Sequence, residues 1–212
     1  MSKKIQGHFI KFKDILQNSR TFKDKCEPCR CKDVLNFNSR KTLCTALIQC
    51  YFDYACSSWY SGLNKTFRKK LQIMQNKVVR FILNLRRRDS VRNKELRKVD
   101  ALSVPDRVMQ LKMNHVFKIN KQTCPSYMLS NFNRLNTNNN RMVTRASATD
   151  FFVPRVHGQG ANTFFFTAIK EWNSLSNDLK IVNEEDSFKS KLKQELFEVA
   201  KRREDDDFIR YF

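Results

Sequence analysis

Apolar residues dominate positions 43–60, and this stretch predicts the first helix of the chain. Asn38 or Ser39 is suited to cap its start, and the pattern continues to about Trp59. Because most faces of such a helix are apolar, we expect the helix to be buried. Ser61 and Gly62 then interrupt the pattern and end the helix.

The next helix is amphipathic and is predicted to run from Leu63 or Asn64 to about Leu85. Its apolar residues recur at spacings of four and three, which places them within one arc of the helix, namely Phe67, Leu71, Met74, Val78, Ile82 and Leu85. The other side of the helix is predicted to carry the cations Arg68, Lys69, Lys77 and Arg80. One face is therefore expected to pack, while the other meets solvent or phosphate.

Downstream of position 100, three more helices alternate with polar breaks. One begins at Pro105, runs to about Lys121 and is ended by Pro125, because proline is accepted in a first turn but stops a helix further on. A polar, asparagine-rich loop and a short extended piece at 151–154 follow. Asn162 is suited to cap a helix with a broad apolar stripe, and the last helix begins near Asp186.

The predicted fold is therefore mainly α, a small helical bundle followed by a second helical subdomain with a polar loop between them. The predicted divisions are a basic N-terminal segment at 1–37, a helical region at 38–130, the polar loop and extended piece at 131–160, a C-terminal helical pair at 161–200 and a charged tail at 201–212. The most apolar stretch, at 43–60, is broken by polar residues, so we expect no membrane span.

The charge of the chain adds a further prediction to the helical fold, namely that the protein binds a polyanion. The chain carries 41 Lys and Arg against 21 Asp and Glu, a formal net charge of +20. Residues 61–100 hold thirteen of these cations and three acids, so this segment alone carries +10. Residues 184–212 hold nine acids and seven bases. A basic middle and a nearly neutral end predict a localised surface for a polyanion such as nucleic acid.

Several sequence blocks, in the same order, resemble the region downstream of the catalytic palm in LINE-like (non-LTR) retrotransposon reverse transcriptases. The blocks lie at 47–54 with Trp59, 69–80, 101–107, 113–119, 124–128, 144–147, 160–175 and 186–192. The resemblance covers roughly residues 39–198. It implies a thumb-like helical region and its C-terminal extension, which grip primer and template behind the active site. The partners it implies are the backbone of RNA or of an RNA–DNA hybrid, and a palm-bearing reverse transcriptase chain.

A polymerase of this kind needs paired carboxylates for two metal ions, in an aromatic-any-Asp-Asp turn. The sequence contains no such turn, and the adjacent acids Asp205, Asp206 and Asp207 belong to a charged terminal run. We therefore expect a chain that is not an enzyme by itself, with no cofactor and no small-molecule substrate. The Cys-Cys-His-Cys knuckle that some related polymerases carry is also missing from the sequence.

The cysteines supply one weak candidate for a metal site. Cys26, Cys29 and Cys31 offer two or three thiolates at a spacing that zinc accepts, yet no second Cys or His pair follows at a matching distance. Free thiols are the favoured interpretation, and seven cysteines without a signal region indicate an intracellular protein, with nuclear and cytoplasmic ribonucleoprotein locations both open.

The candidate nucleic-acid-binding residues are Arg68, Lys69, Lys77, Arg80, Arg86, Arg87 and Arg88. For each of them alone, a solvated helix surface is an equally good interpretation, and their concentration is what favours binding. Three functions remain open: a non-catalytic reverse-transcriptase fragment that binds nucleic-acid backbone, a scaffold that docks on a palm-bearing chain, and a decayed mobile-element reading frame without function.

Overall fold

The structure, a computed structural model, describes residues 34–134 and 149–210, with side chains described throughout these ranges except at 159 and 204–210. The helices are α1 (Phe37–Cys44), α2 (Cys50–Asp53), α3 (Cys56–Trp59), α4 (Lys65–Ile82), α5 (Asn93–Lys98), α6 (Val104–Asn120), α7 (Ser126–Leu129), α8 (Phe164–Asn173), α9 (Asn177–Ile181) and α10 (Glu185–Arg210). A π-helical turn, Thr45–Gln49, joins α1 to α2, and two 3₁₀ turns are Tyr60–Gly62 and Gly158–Asn162. The predicted mainly α fold is confirmed.

The described residues divide into two compact units. The first unit comprises residues 34–54 and 64–104, and the second comprises residues 55–63, 105–134 and 149–210. Most of the predicted N-terminal segment and residues 135–148 of the predicted polar loop lie outside the described residues, as do Cys26, Cys29 and Cys31. The five sequence-based divisions stay predictions.

The core of the first unit is built around one line of α4. Asn64 caps this helix, since its Oδ1 accepts the Phe67 N–H at 2.9 Å, which confirms the predicted start. The buried residues of α4 recur at spacings of four and three, Leu71, Gln75, Val79 and Ile82. Val79 and Ile82 pack in a cluster with Cys44, Leu96 and Val99. The helix ends at Ile82, one turn before the predicted end.

The first predicted helix differs from the expectation in two ways. Asn36 caps it instead of Asn38 or Ser39, and it is not one α-helix, because the π-helical turn interrupts it and Ala55 takes a left-handed φ of 48°. Its predicted burial is wrong on one side, where Leu47, Tyr51 and Tyr54 are about half exposed. An apolar composition does not reveal which faces have a packing partner, and here the side of Cys44 and Phe52 is the buried one.

Two glutamines of α4 hold the segment that leads into α6. Gln75 is buried, and its Nε2 donates to the backbone oxygen of Leu102 at 2.6 Å. Gln72 Oε1 accepts the Val104 N–H at 3.2 Å, and Gln72 Nε2 donates to Gln75 Oε1 at 2.9 Å. Without these bonds, buried backbone groups would lose their partners, so the two glutamines are structural residues of the first unit.

Three helices are each followed by a residue in the left-handed backbone conformation, and in none of them is this residue a glycine. Asn84, Asp100 and Gln122 have φ values of 55°, 59° and 57°. In each case the next residue donates its N–H to a carbonyl five positions back, at 2.9–3.0 Å, as in a Schellman motif. The predicted role of Pro125 is therefore wrong, because α6 has already ended at Asn120, where Gln122 reverses the backbone.

The second unit is built on the apolar stripe predicted for α8, together with apolar side chains of α10 and α6. Trp172, Phe188 and Leu192 are fully buried, and the rings of Phe117 and Phe188 stack with centroids 4.4 Å apart. Trp172 Nε1 donates to the Thr149 oxygen at 3.1 Å. Trp172 is therefore a core residue of the second unit.

The predicted extended piece is anchored by the side chain of Asn173, which hydrogen-bonds both backbone groups of Phe151 as an adjacent β-strand would. Asn173 Oδ1 accepts the Phe151 N–H at 3.0 Å, and Asn173 Nδ2 donates to the Phe151 oxygen at 2.8 Å. On the other side, Phe152 N–H donates to the Asn133 oxygen at 2.8 Å. A single β-bridge between Arg134 and Phe151 is the extended pairing in the described part of the chain.

Substitution Gln75→Met is expected to lower the free energy of unfolding by about 1–3 kcal/mol, because it keeps the side-chain length and leaves the Leu102 carbonyl without its donor. Urea unfolding followed by circular dichroism measures the change. Gln194→Met, at an exposed position of α10, is the control and should stay within about 0.5 kcal/mol of the parent. Equal stability of the two variants would contradict the structural role of Gln75.

Substitution Gln122→Gly is expected to raise the free energy of unfolding by about 1 kcal/mol, because glycine adopts the left-handed conformation without the penalty that glutamine carries. Thermal unfolding of both proteins gives the comparison. The control Lys191→Gly puts the same residue at an exposed right-handed position of α10 and should lower stability by about 1 kcal/mol. A loss of stability in both variants would show that position 122 is not left-handed in solution.

Candidate nucleic-acid interface

The first unit carries more than half of the net charge of the chain. Its residues include fifteen Lys and Arg against Asp53, Asp89, Glu95 and Asp100, which gives +11 of the total +20. The sequence segment with the strongest positive charge therefore folds within one compact unit. A surface of this sign attracts polyanions and raises their local concentration.

The exposed face of α4 carries a line of lysines, which we call the lysine line and define as Lys69 and Lys77 with Ile73 between them. The three residues are spaced by four, so they lie one above the other on the helix. All three are exposed, and Ile73 retains 45% of its accessible surface. Because Leu71, Val79 and Ile82 fill the opposite side, packing fixes the lysine line toward solvent.

Arg68 does not belong to this line. It precedes Leu71 by three positions and Gln75 by seven, so it continues the packed line of α4 toward the helix start. It is nevertheless exposed, one helical turn before Leu71, the first buried residue of α4. Its predicted position beside Lys69 and Lys77 is wrong, because a spacing of three to a buried residue sets the face that a helical side chain shares.

Arg80 is half-buried and has a structural contact. Its Nε donates to the backbone oxygen of Asp89 at 2.8 Å. This bond ties the chain beyond α4 back to the last turn of the helix. The left-handed residue Asn84 supports the same reversal, because it lets Leu85 N–H donate to the Arg80 oxygen at 2.9 Å. Arg80 therefore positions other cations in addition to contributing its own charge.

The chain segment that Arg80 holds is a tight turn, which we call the arginine turn and define as residues 86–89. The Arg86 N–H donates to Asp89 Oδ2 at 2.7 Å, and the Asp89 N–H donates to the Arg86 oxygen at 3.2 Å. These bonds use backbone groups and the aspartate, and they leave the side chains of Arg86, Arg87 and Arg88 exposed. Three arginines thus stand on a closed turn that is anchored to α4.

Sequence reasoning missed a further pair of exposed cations on α5, Lys94 and Lys98. They are four apart on one side of this helix, while Leu96 is buried in the core cluster of the first unit. The signal was present, since Leu96 and Val99 are three apart, but α5 is too short to give a clear period and no helix was predicted there. Lys65 and Lys70 of α4 are also exposed and were not singled out.

Three of the four acids in the first unit accept hydrogen bonds from the unit itself. Asp53 Oδ1 accepts from Gln49 Nε2 at 2.9 Å, Asp89 accepts the Arg86 N–H, and Glu95 Oε2 accepts the Arg92 N–H at 3.0 Å. These acids therefore hold backbone and side chains of the first unit in place. The exposed surface of α4 and the arginine turn stays positive.

Lysine and arginine on a helix and a tight turn can contact phosphates without reading base edges. In the described ranges, no group of three or more His, Cys, Asp or Glu is placed to hold a metal ion, and Cys44, Cys50, Cys56 and Cys124 are not in disulfide bonds. Within the same ranges, no helix has both the length and the apolar character to cross a membrane.

No protein-family model, curated protein or solved structure matches the chain. The resemblance to LINE-like reverse transcriptases thus rests on the ordered sequence blocks alone.

Arg80→Met should lower the free energy of unfolding by about 1 kcal/mol, because the Asp89 oxygen loses its donor and the arginine turn loses its anchor. Lys77→Met, on the exposed face of the same helix, is the matched control and should change stability by less than about 0.5 kcal/mol. Urea unfolding at a fixed salt concentration measures both. If Lys77→Met cost as much as Arg80→Met, the distinction between the anchoring and the exposed cation would be refuted.

Proposed function

We propose that the chain is a non-catalytic nucleic-acid-binding module, derived from the C-terminal region of a LINE-like reverse transcriptase, that grips the phosphate backbone of RNA or of an RNA–DNA hybrid. The observation that carries the proposal is the two-sided α4: one line of side chains is buried, and the lysine line opposite it is exposed. The arginine turn, tied to the end of the same helix by Arg80, extends the positive surface. No catalytic step is assigned to the chain.

The strength of such a grip follows from counterion release. If the lysine line, the arginine turn and one further exposed cation neutralise about six phosphates, the logarithm of the binding constant should fall with the logarithm of salt concentration with a slope of about −4 to −5. Binding of this kind is independent of sequence, because the phosphates are the same along the strand. The thumb-like role that the resemblance implies requires this property, since a polymerase moves along its template.

The test is a titration of the purified chain with a labelled RNA–DNA hybrid over a series of salt concentrations. The triple variant Lys69→Gln, Lys77→Gln and Arg87→Gln should flatten the slope by about two to three units and weaken binding by about tenfold or more at moderate salt. The reason is that three phosphate contacts are lost, while the buried side of α4 and the Arg80 anchor are untouched.

The matched control removes the same charge from a different surface. Lys191→Gln, Lys201→Gln and Arg202→Gln also take away two lysines and one arginine, all exposed on α10 in the second unit. This variant should keep the slope of the parent. Equal losses in both triple variants would mean that net charge alone binds the hybrid, and the proposed interface would be wrong.

A second candidate function, docking on a palm-bearing reverse transcriptase chain, is favoured by a different observation. Leu47, Tyr51 and Tyr54 are exposed on the helical segment that runs from α1 to α2, with exposed fractions of 54%, 50% and 50%. An exposed patch of large apolar side chains is a common feature of surfaces that bind another protein. The titration separates the two functions, because a docking scaffold predicts no binding of the hybrid by a helical chain.

A further inference from the structure

Ser90 follows directly after the arginine turn and has the sequence setting of a phosphorylation site. Arg87 and Arg88 precede it by three and two positions, and the apolar Val91 follows it. No other Ser or Thr of the sequence has an arginine at both of these positions. Serine kinases that select basic substrates hold such arginines in acidic subsites, where a guanidinium pairs with carboxylates through parallel hydrogen bonds. The pattern therefore favours a kinase with an acidic substrate cleft.

The structure presents this segment to solvent. The side chains of Arg87, Arg88 and Ser90 are exposed, and Ser90 itself belongs to no helix. None of residues 86–92 is fully buried, although Val91 packs partly on the core cluster of the first unit. A kinase binds its substrate as an extended segment, so it has to displace Val91 and open the arginine turn. This opening exposes little apolar surface, and it therefore costs far less free energy than unfolding the unit.

The position of Ser90 places a modification beside the proposed interface. Arg80 Nε donates to the backbone oxygen of Asp89, the residue before Ser90, at 2.8 Å. Arg88 and Arg92 are both exposed, and each lies two positions from Ser90. Their Cα atoms are therefore at most about 7 Å from the Cα of Ser90, because each residue extends the chain by no more than about 3.6 Å. A group attached to Ser90 lies between two exposed arginines, one of which belongs to the arginine turn.

We propose that Ser90 is phosphorylated by an arginine-directed serine kinase and that the phosphate weakens the grip of the first unit on nucleic acid. In the reaction, the Ser90 oxygen attacks the γ-phosphorus of ATP. A new O–P bond forms as the bond from this phosphorus to the oxygen that bridges to the β-phosphate breaks. ADP leaves, and the hydroxyl proton passes to a carboxylate of the kinase. The effect on binding rests on the proposed function, whereas the modification itself does not.

The phosphate acts on binding through its charge. It adds about −1.5 to −2 at neutral pH, which lowers the net charge of the first unit from +11 to about +9. Its oxygens accept hydrogen bonds from guanidinium groups, and Arg88 and Arg92 are close enough along the chain to donate them. An arginine that pairs with the phosphate on Ser90 is lost to a nucleic-acid phosphate. We therefore expect the salt slope of hybrid binding to flatten by about one to two units and the affinity to fall about tenfold at moderate salt.

The modification is tested first, on the intact folded chain. The probe is ATP with the catalytic subunit of cyclic-AMP-dependent protein kinase, which selects arginines two and three positions before serine. Mass spectrometry of proteolytic fragments is expected to find phosphate at Ser90, and Ser90→Ala should abolish it. Arg87→Gln with Arg88→Gln should slow the reaction about tenfold or more, because the acidic subsites lose their partners. Lys94→Gln with Lys98→Gln, which removes two exposed cations of α5, is the matched control and should keep the parent's rate.

The effect on binding is then measured with the phosphorylated chain. This chain is titrated with the labelled RNA–DNA hybrid over the same salt series as the unmodified chain, and circular dichroism checks that its helicity is unchanged. Ser90→Ala, treated with kinase and ATP in the same way, is the control and should bind as the unmodified parent does. Removal of the phosphate by a phosphatase should restore the parent's salt slope.

The outcomes separate this inference from the proposed function. Absence of phosphate at Ser90 in the folded chain, or modification only after unfolding in urea, would overturn the modification site. Modification without a change in hybrid binding would retain the phosphate grip and overturn its regulation. No hybrid binding by the unmodified chain would overturn the proposed function and the regulation with it, while phosphate at Ser90 would still support the modification site.

Discussion

The burial of Leu71, Val79 and Ile82 on one side of α4 is the constraint on which the rest of the first unit depends. Val79 and Ile82 pack with Cys44, Leu96 and Val99, and the helix cannot turn its apolar side outward without losing that core. The direction of Lys69 and Lys77 follows from the helical period. The surface charge is therefore arranged by the hydrophobic core of the unit.

The cations that follow α4 depend on a second, polar constraint. Arg80 carries one of the positive charges, but its bond to the Asp89 oxygen also determines where the arginine turn begins and ends. A flexible loop that carries a charged side chain would lose conformational entropy on binding a phosphate. A turn that is already closed before binding loses less conformational entropy. The arrangement thus favours a pre-formed surface over one that is ordered by its ligand.

The sequence predicted the features that periodicity encodes. The start of α4, the helix that follows Pro105, the stripe of α8 and the start of α10 were all readable from the pattern of apolar and polar residues. Features that depend on tertiary contacts were not readable. The exposure of Tyr51 depends on which other elements pack against its helical segment. The end of α6 depends on the left-handed conformation of Gln122, and glutamine is a residue type that rarely adopts it.

The candidate site shows the same division. A basic surface in the middle of the chain was predicted from charge alone, and Lys69, Lys77 and the three arginines of the turn are exposed as expected. Arg68 was misplaced, the anchoring contact of Arg80 could not be foreseen, and Lys94 and Lys98 were missed on a helix too short to show a period. The basic character of the segment can be predicted from its sequence, whereas the packing of α4 and α5 determines which of its cations share a surface.

The most direct test of the central claim is a nuclear magnetic resonance titration of the labelled chain with an RNA–DNA hybrid. The account predicts that backbone amide shifts move at Lys69, Ile73, Lys77 and the arginine turn, and that the amides of Lys191, Lys201 and Arg202 stay in place. Shifts confined to the second unit, or spread evenly over all exposed lysines, would contradict an interface organised by α4.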